Sequence, residues 1–270
     1  MQTLDSILTV ADRYDAIVFD QWGVLHNGSA PYPHAVGAVE ALAHAGVMLG
    51  VLSNSGKSAA INRDRITGIG FPASAFGPVM TSGEALKIDM RAGLLAHIRA
   101  LYVISATPED AARSVADMGV AQVATLSDAD AVLLMGLPDG GDHATERAVL
   151  REARAQGKRL ICSNPDRHSP RADGVLVESP GALAHEYADE GGEVLFYGKP
   201  HRPIFDALGA QLGARRVLMV GDSPEHDIAG AKAAGWDSLF IQGGLYADVE
   251  PRADLFDGIG LPDYMLPTLR

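Results

Sequence analysis

Short apolar runs recur along the chain, and the segments between them carry apolar residues at the three-to-four spacing of amphipathic helices. The runs predict strands at Ala16–Phe19, Met48–Leu52, Leu101–Ile104, Ala131–Met135, Arg159–Cys162, Gly174–Val177, Val217–Val220 and Ser238–Ile241. The longer segments predict helices at His34–Ala45, Ser58–Ile69, Gly83–Ala96, Pro108–Met118, Asp142–Ala155, Gly181–Glu190, Arg202–Leu212 and Ile228–Ala234. Runs that are apolar throughout suit strands covered on both faces, the condition of a parallel sheet. Strands alternating with helices give a doubly wound, Rossmann-like α/β architecture.

Four places on this pattern carry polar chemistry. The run Ile17-Val18-Phe19 ends in Asp20, followed by Gln21, Trp22 and Gly23. A second run ends in Ser53 and Asn54, a hydroxyl and backbone N–H groups at a helix start that can cradle an anion. Lys199, between Gly198 and Pro200, is a compact positive charge able to neutralise a phosphoryl group and a nearby carboxylate. Val217–Val220 leads into Gly221 and Asp222, with Asp227 five residues later; two acids on one loop suit a hard cation such as Mg²⁺. Taken singly, each has an ordinary structural reading. Asp20, Ser53 and Asn54 can cap helices or turns, Lys199 can be a surface residue, and Asp227 can cap the helix after it. Roughly 145 residues separate the second and third places, room for an inserted α/β domain.

Composition narrows the partners. With 47% apolar and 21% charged residues, the 270-residue chain is an ordinary globular one. Its formal net charge of -12 argues against nucleic acid and against a membrane surface, since both are polyanionic. A small anion remains possible where lysine and metal reverse the local field. The single cysteine, Cys162, excludes an internal disulfide and fits a reducing compartment. No apolar stretch approaches the roughly 18 residues of a membrane span, and Met1 to Asp12 has neither the basic start nor the apolar core of a signal peptide. A cytoplasmic protein is expected.

In this order, Asp20, Ser53, Lys199 and the Asp222/Asp227 loop resemble the four motifs of the haloacid dehalogenase (HAD) superfamily. Thr81-Ser82-Gly83, Asn164-Pro165-Asp166 and Pro180-Gly181-Ala182 resemble the landmarks of its class IIA cap, found in the NagD-like group of p-nitrophenyl, pyridoxal and phosphoglycolate phosphatases. The resemblance runs from about Tyr14 to Leu269. It implies a HAD core at residues 1–80 and 196–270 with a cap at 81–195. It makes Asp20 the nucleophile and, with Asp222 and the main-chain carbonyl of Trp22, a Mg²⁺ ligand, while Asp227 orients the metal's water shell. Ser53 would hold phosphoryl oxygens, Lys199 would offset charge, and Asn54 would position the nucleophile or phosphate. Asn164 and Asp166 fall in substrate-facing loops. The implied partner is a small phosphorylated metabolite, and a homodimer would fit the family.

One departure governs the function. Where the superfamily's phosphatases carry a second Asp as general acid, this chain has Trp22. General acid catalysis is worth about 10²–10⁴-fold, so the reading is an attenuated Mg²⁺-dependent phosphatase. One alternative is a non-hydrolytic protein that binds a phosphoryl ligand. Another is a halide-releasing hydrolase, disfavoured because the Asp222/Asp227 pair would have no use there. His26 and His226 are candidate substitute proton donors, and Cys162 reads as a small buried hydrophobe.

Overall fold

The computed structural model describes residues 1–138, 140–170, 176–244, 247 and 253–270. It divides into two compact units, Met1–Ser53, Ala59–Met80 and Lys199–Arg270 in the first, Asn54–Ser58 and Thr81–Gly198 in the second. The second edge thus lies at Gly198/Lys199 rather than at 195/196, and Asn54–Ser58 goes with the second unit. Those five residues join it through close backbone packing, with Gly83 N donating to Ser55 O at 3.3 Å.

The first part of the chain supplies β1 (Gln2–Thr3), β2 (Ala16–Phe19), β3 (Met48–Ser53) and β4 (Val79–Thr81), with α1 (Ala35–His44) and α2 (Ala59–Ile69) between them. The inserted part supplies α3 (Ser82–Arg91), β5 (Ala100–Ile104), α4 (Pro108–Met118), β6 (Ala121–Gln122), β7 (Ala131–Leu134), α5 (Ala144–Ala155) and β8 (Arg159–Cys162). It continues with β9 (His168–Pro170), β10 (Leu176–Glu178), α6 (Pro180–Asp189) and β11 (Val194–Phe196). The last part supplies α7 (Arg202–Leu212), β12 (Val217–Gly221), α8 (Ala229–Ala234), β13 (Asp237–Ile241) and β14 (Tyr264–Leu266).

The first unit holds a seven-stranded sheet in the order β1-β14-β13-β12-β2-β3-β4. β2 pairs in parallel with both β3 and β12, β12 with β13, and β13 with β14. All four residues of β2 and all five of β12 are buried, which is why these strands read as unbroken apolar runs. Ile17, Phe19, Leu49, Val51, Leu218 and Val220 meet Val39 and Leu42 of α1 in one core. The edge strands β1 and β4, and β14 beside β1, span only two or three residues, too few for any periodicity to announce them.

The second unit has its own parallel sheet, ordered β11-β8-β7-β5-β6. The strand expected at Gly174–Val177 is corrected in kind. Residues 174 and 175 lie outside the described residues, and β10 pairs antiparallel with β9 instead of joining the parallel sheet. The helix expected to run to Ala96 stops at Arg91, and Gly93 takes a φ of 78° that a helix cannot continue through. The helix expected from Ile228 begins at Ala229, behind a single π turn over Pro224–Ile228.

Candidate active site

Parallel pairing sets Phe19 beside Val51 on one side and Val220 on the other. The residues that follow those partners therefore leave the sheet together at its C-terminal edge: Asp20, Ser53 and Asp222. Asp20 N still donates to Val220 O at 2.9 Å, which fixes where its side chain starts. Lys199, just ahead of α7, donates from Nζ to Asp20 Oδ1 at 2.7 Å and to Asp227 Oδ1 at 2.6 Å. The side chains of Lys199 and Asp227 are 4% and 0% exposed, and that of Asp20 is 14% exposed. Of these three side chains, that of Asp20 keeps the most access to solvent.

Asp227 does not cap α8, whose N-cap is Ile228 and takes no side-chain bond. Ser223 caps the π turn ahead of it, its Oγ accepting from His226 N at 3.2 Å. Within the π turn, Asp227 accepts from Lys199 through Oδ1 and from Ser223 N through Oδ2 at 3.0 Å. Both of its oxygens hold protein, so its first task is to fix the lysine and the Asp222 loop.

One carboxylate oxygen each from Asp20, Asp222 and Asp227 lies within 4.8 Å of the others. Three carboxylates and one ammonium carry two net negative charges when all are ionised. A hard divalent cation balances such an oxygen donor set, so the residues present fit Mg²⁺. Burial pushes the Asp20 carboxyl up to about 7 against the pull of Lys199, with Asp227 adding to the rise. Burial opposes the charge on Lys199, but Asp20 and Asp227 outweigh it and hold the ammonium above its ordinary value. Room for the acids comes from glycine. Gly23 has a φ of 79°, and a Cβ there would overlap Asp222 Oδ2; a Cβ on Gly244 would meet the same oxygen. These two glycines belong to the site and have no chemistry by which the sequence could advertise them.

Trp22 is half-buried and folded back on its own loop. Its indole lies where a Cβ on Gly28 would be, and it meets the His26 ring edge to face, with centroids 5.8 Å apart. His26 is fully buried, and its Nδ1 accepts from Gly28 N at 3.0 Å, which puts the ring proton on Nε2. Beneath the same loop, Gln21 Nε2 donates to Asn62 Oδ1 at 3.2 Å, a buried amide pair that tethers the residue after Asp20 to α2.

In the second unit, Asn54 Nδ2 donates to Asp166 Oδ1 at 2.7 Å, and Asn164 Oδ1 accepts from Asp166 N at 3.3 Å. Two residues expected to face a ligand are thus bonded to each other. A Cβ on Gly181 would overlap Pro165 O, and Gly181 N donates to Asp166 O at 3.0 Å. The Pro180-Gly181-Ala182 landmark is therefore the place where α6 comes close enough to hold the Asn164–Asp166 loop. Burial pushes the Cys162 thiol up to about 12, in keeping with a packing role.

A doubly wound sheet with a lysine-clamped carboxylate and two further aspartates at its C-terminal edge defines a hydrolase of the haloacid dehalogenase type. The chain belongs to that family: residues 17–121 match the haloacid dehalogenase-like hydrolase model and residues 196–270 the HAD-hydrolase-like model. It is 28% identical to a glycerol-3-phosphate phosphatase of Gallus gallus, over 96% of this chain and 91% of that one. Among solved structures, a haloacid dehalogenase-like hydrolase from Brucella suis superposes with a TM-score of 0.83 at 28% identity, covering 99% of this chain and all of that one. A glycerol phosphate phosphatase from Mycobacterium tuberculosis, solved in complex with magnesium, does so with a TM-score of 0.71 at 25% identity, over 95% and 75%. NagD from Escherichia coli shares the fold, with a TM-score of 0.72 at 21% identity over 94% and 96%.

Proposed function

We propose that the chain is a Mg²⁺-dependent phosphatase that acts on a small phosphate ester through an aspartyl phosphate on Asp20, slowed because Trp22 brings no proton to the leaving group. The observation that carries this reading is the Asp20 carboxylate, held by Lys199 Nζ at 2.7 Å with an Asp222 oxygen within 4.8 Å. Phosphoryl transfer asks chiefly for positioning and charge neutralisation, and this edge of the sheet offers both. Asp20 would attack phosphorus as the ester oxygen departs, and water would then release phosphate and restore the carboxylate. Lys199 would stabilise the charge that gathers between Asp20 and the phosphoryl oxygens, and Ser53 at the end of β3 would hold one of those oxygens. Asp20, Asp222 and the Trp22 carbonyl would hold Mg²⁺, which when bound neutralises the phosphoryl group. The relatives named as glycerol phosphate phosphatases support a small phosphorylated metabolite as substrate. A cytoplasmic setting belongs to the same reading; among the described residues no helix is long and apolar enough to cross a membrane.

Trp22 also favours a second reading, in which the site binds a phosphoryl ligand without cleaving it. Asp20→Asn separates the two. Mg²⁺-dependent release of phosphate from p-nitrophenyl phosphate should vanish in this variant while it still binds inorganic phosphate. Wild-type protein that binds Mg²⁺ and phosphate yet releases none from any ester would establish the second reading.

A further inference from the structure

An ester oxygen leaving phosphorus must either be protonated as it goes or be stable as an anion, and the groups around Asp20 bear on which. The three acids and the lysine of the site are engaged: Lys199 donates to Asp20 and Asp227, Asp227 accepts through both oxygens, and the Asp222 carboxylate is closed in by the backbones of Gly23 and Gly244. Trp22, two residues beyond Asp20, has only an indole N–H, which is no acid in water, and its ring is folded onto Gly28 and His26. His26 is fully buried and uses Nδ1 to accept from Gly28, so its remaining N–H lies under the loop instead of at its surface. On the Asp222 loop, the Glu225 side chain is exposed and His226 is half-buried. Among the described residues, the Trp22 ring, Gly23 and the sequestered His26 imidazole bring no proton donor to the surface of the loop that follows Asp20.

We infer that the substrates of this chain are phosphates whose leaving group departs as a stabilised anion, a carboxylate or a phenolate, and not alkyl phosphates such as the glycerol phosphates for which some of its relatives are named. This deepens the phosphatase reading and rests on it. In the first step a bond forms between an Asp20 oxygen and phosphorus. The bond from phosphorus to the leaving oxygen breaks, and its electron pair stays on that oxygen, so no proton is needed. In the second step water attacks phosphorus, Asp20 departs as carboxylate, and the proton passes to solvent. Acyl phosphates and aryl phosphates satisfy the first step equally, and the probes below tell them apart.

The test is a leaving-group series on the wild-type chain with Mg²⁺: acetyl phosphate, phenyl phosphates with graded ring substituents, and glycerol 3-phosphate, with kcat and KM measured for each. The expected result is a steep fall of kcat with leaving-group basicity, leaving glycerol 3-phosphate about 10²–10⁴-fold below p-nitrophenyl phosphate, the factor a general acid would otherwise supply. A rate for acetyl phosphate above the whole aryl series would assign the acyl class, and the reverse the aryl class. In Trp22→Asp, a carboxyl stands two residues beyond the nucleophile, and the gap between alkyl and aryl substrates should narrow. Should that variant not fold, the wild-type series decides by itself. Glycerol 3-phosphate turned over within tenfold of p-nitrophenyl phosphate would overturn the inference, and loss of that turnover in His226→Ala would name the donor. A chain that cleaves no probe at all overturns the phosphatase reading instead, and the two failures are distinct.

Discussion

Burial pushes the His26 imidazole down to about 4, and the charge on Arg65 adds a smaller push in the same direction. In the unfolded chain a histidine titrates near 6.5. Between these values the unfolded state binds a proton that the folded state refuses, so stability is complete above about pH 6.5 and is lost as pH falls toward 4. From pH 7.5 to pH 5 this one residue should remove about 2 kcal/mol of stability. His26→Asn keeps an acceptor for Gly28 N without titrating, so urea unfolding of that variant should lose about 2 kcal/mol less over the same range. Parallel pH profiles for the two proteins would show that His26 is not held neutral by the fold. The sequence made His26 a candidate proton donor; its burial and its bond to Gly28 make it a part of the loop's framework.

At the scale of elements, the site depends on backbones that come close because a side chain is missing. Gly23→Ala would press a Cβ into the Asp222 carboxylate at a φ of 79°, a conformation that costs an L-residue roughly 1–2 kcal/mol before any clash. Gly181→Ala would press one into Pro165 O in the second unit. Both variants should be less stable than the wild type. Their ligand effects should part: Gly23→Ala should weaken Mg²⁺ binding at least tenfold in calorimetric titration, whereas Gly181→Ala should keep it within about twofold and raise KM. Equal Mg²⁺ affinity in both would mean that Gly23 does not shape the metal site.

For the whole molecule, a cation that binds only the folded chain stabilises it by mass action. Mg²⁺ at a hundred times its dissociation constant should add about 2.7 kcal/mol, visible as a rise in the thermal midpoint of the first unit. The chain carries a formal net charge of -12, so an unspecific salt effect must be separated from this. Asp222→Asn serves that purpose: it removes a carboxylate from the cluster, and the Mg²⁺-specific rise should disappear while the general effect of ionic strength persists. A rise of the same size in the variant would place the cation elsewhere on the acidic surface.

The interior of the fold was open to reading in the sequence because burial on both faces leaves a mark on composition. The runs at Ala16–Phe19 and Arg159–Cys162 are strands with the ends their residues predict, and α4 and α7 begin and end where Pro108, Gly119, Arg202 and Gly213 place them. Asp20, Ser53 and Asp222 were legible as candidates too, because strand ends in a parallel sheet are where such residues collect. Lys199 and Asp227, which lie away from strand ends, were singled out by the order of motifs alone. Tertiary structure alone decided the order of the strands, with β12 lying between β13 and β2, and so which strand ends meet. It decided that Lys199 reaches Asp20 across 179 residues of chain and Asp227 across 28, and that Asn54 and Asp166 bond across 112. It also turned the Trp22 ring onto Gly28, where a glycine's missing Cβ makes the space. Local periodicity follows from one residue's neighbours along the chain. These contacts follow from which strand lies beside which, and the spacing of apolar residues has no means of recording that.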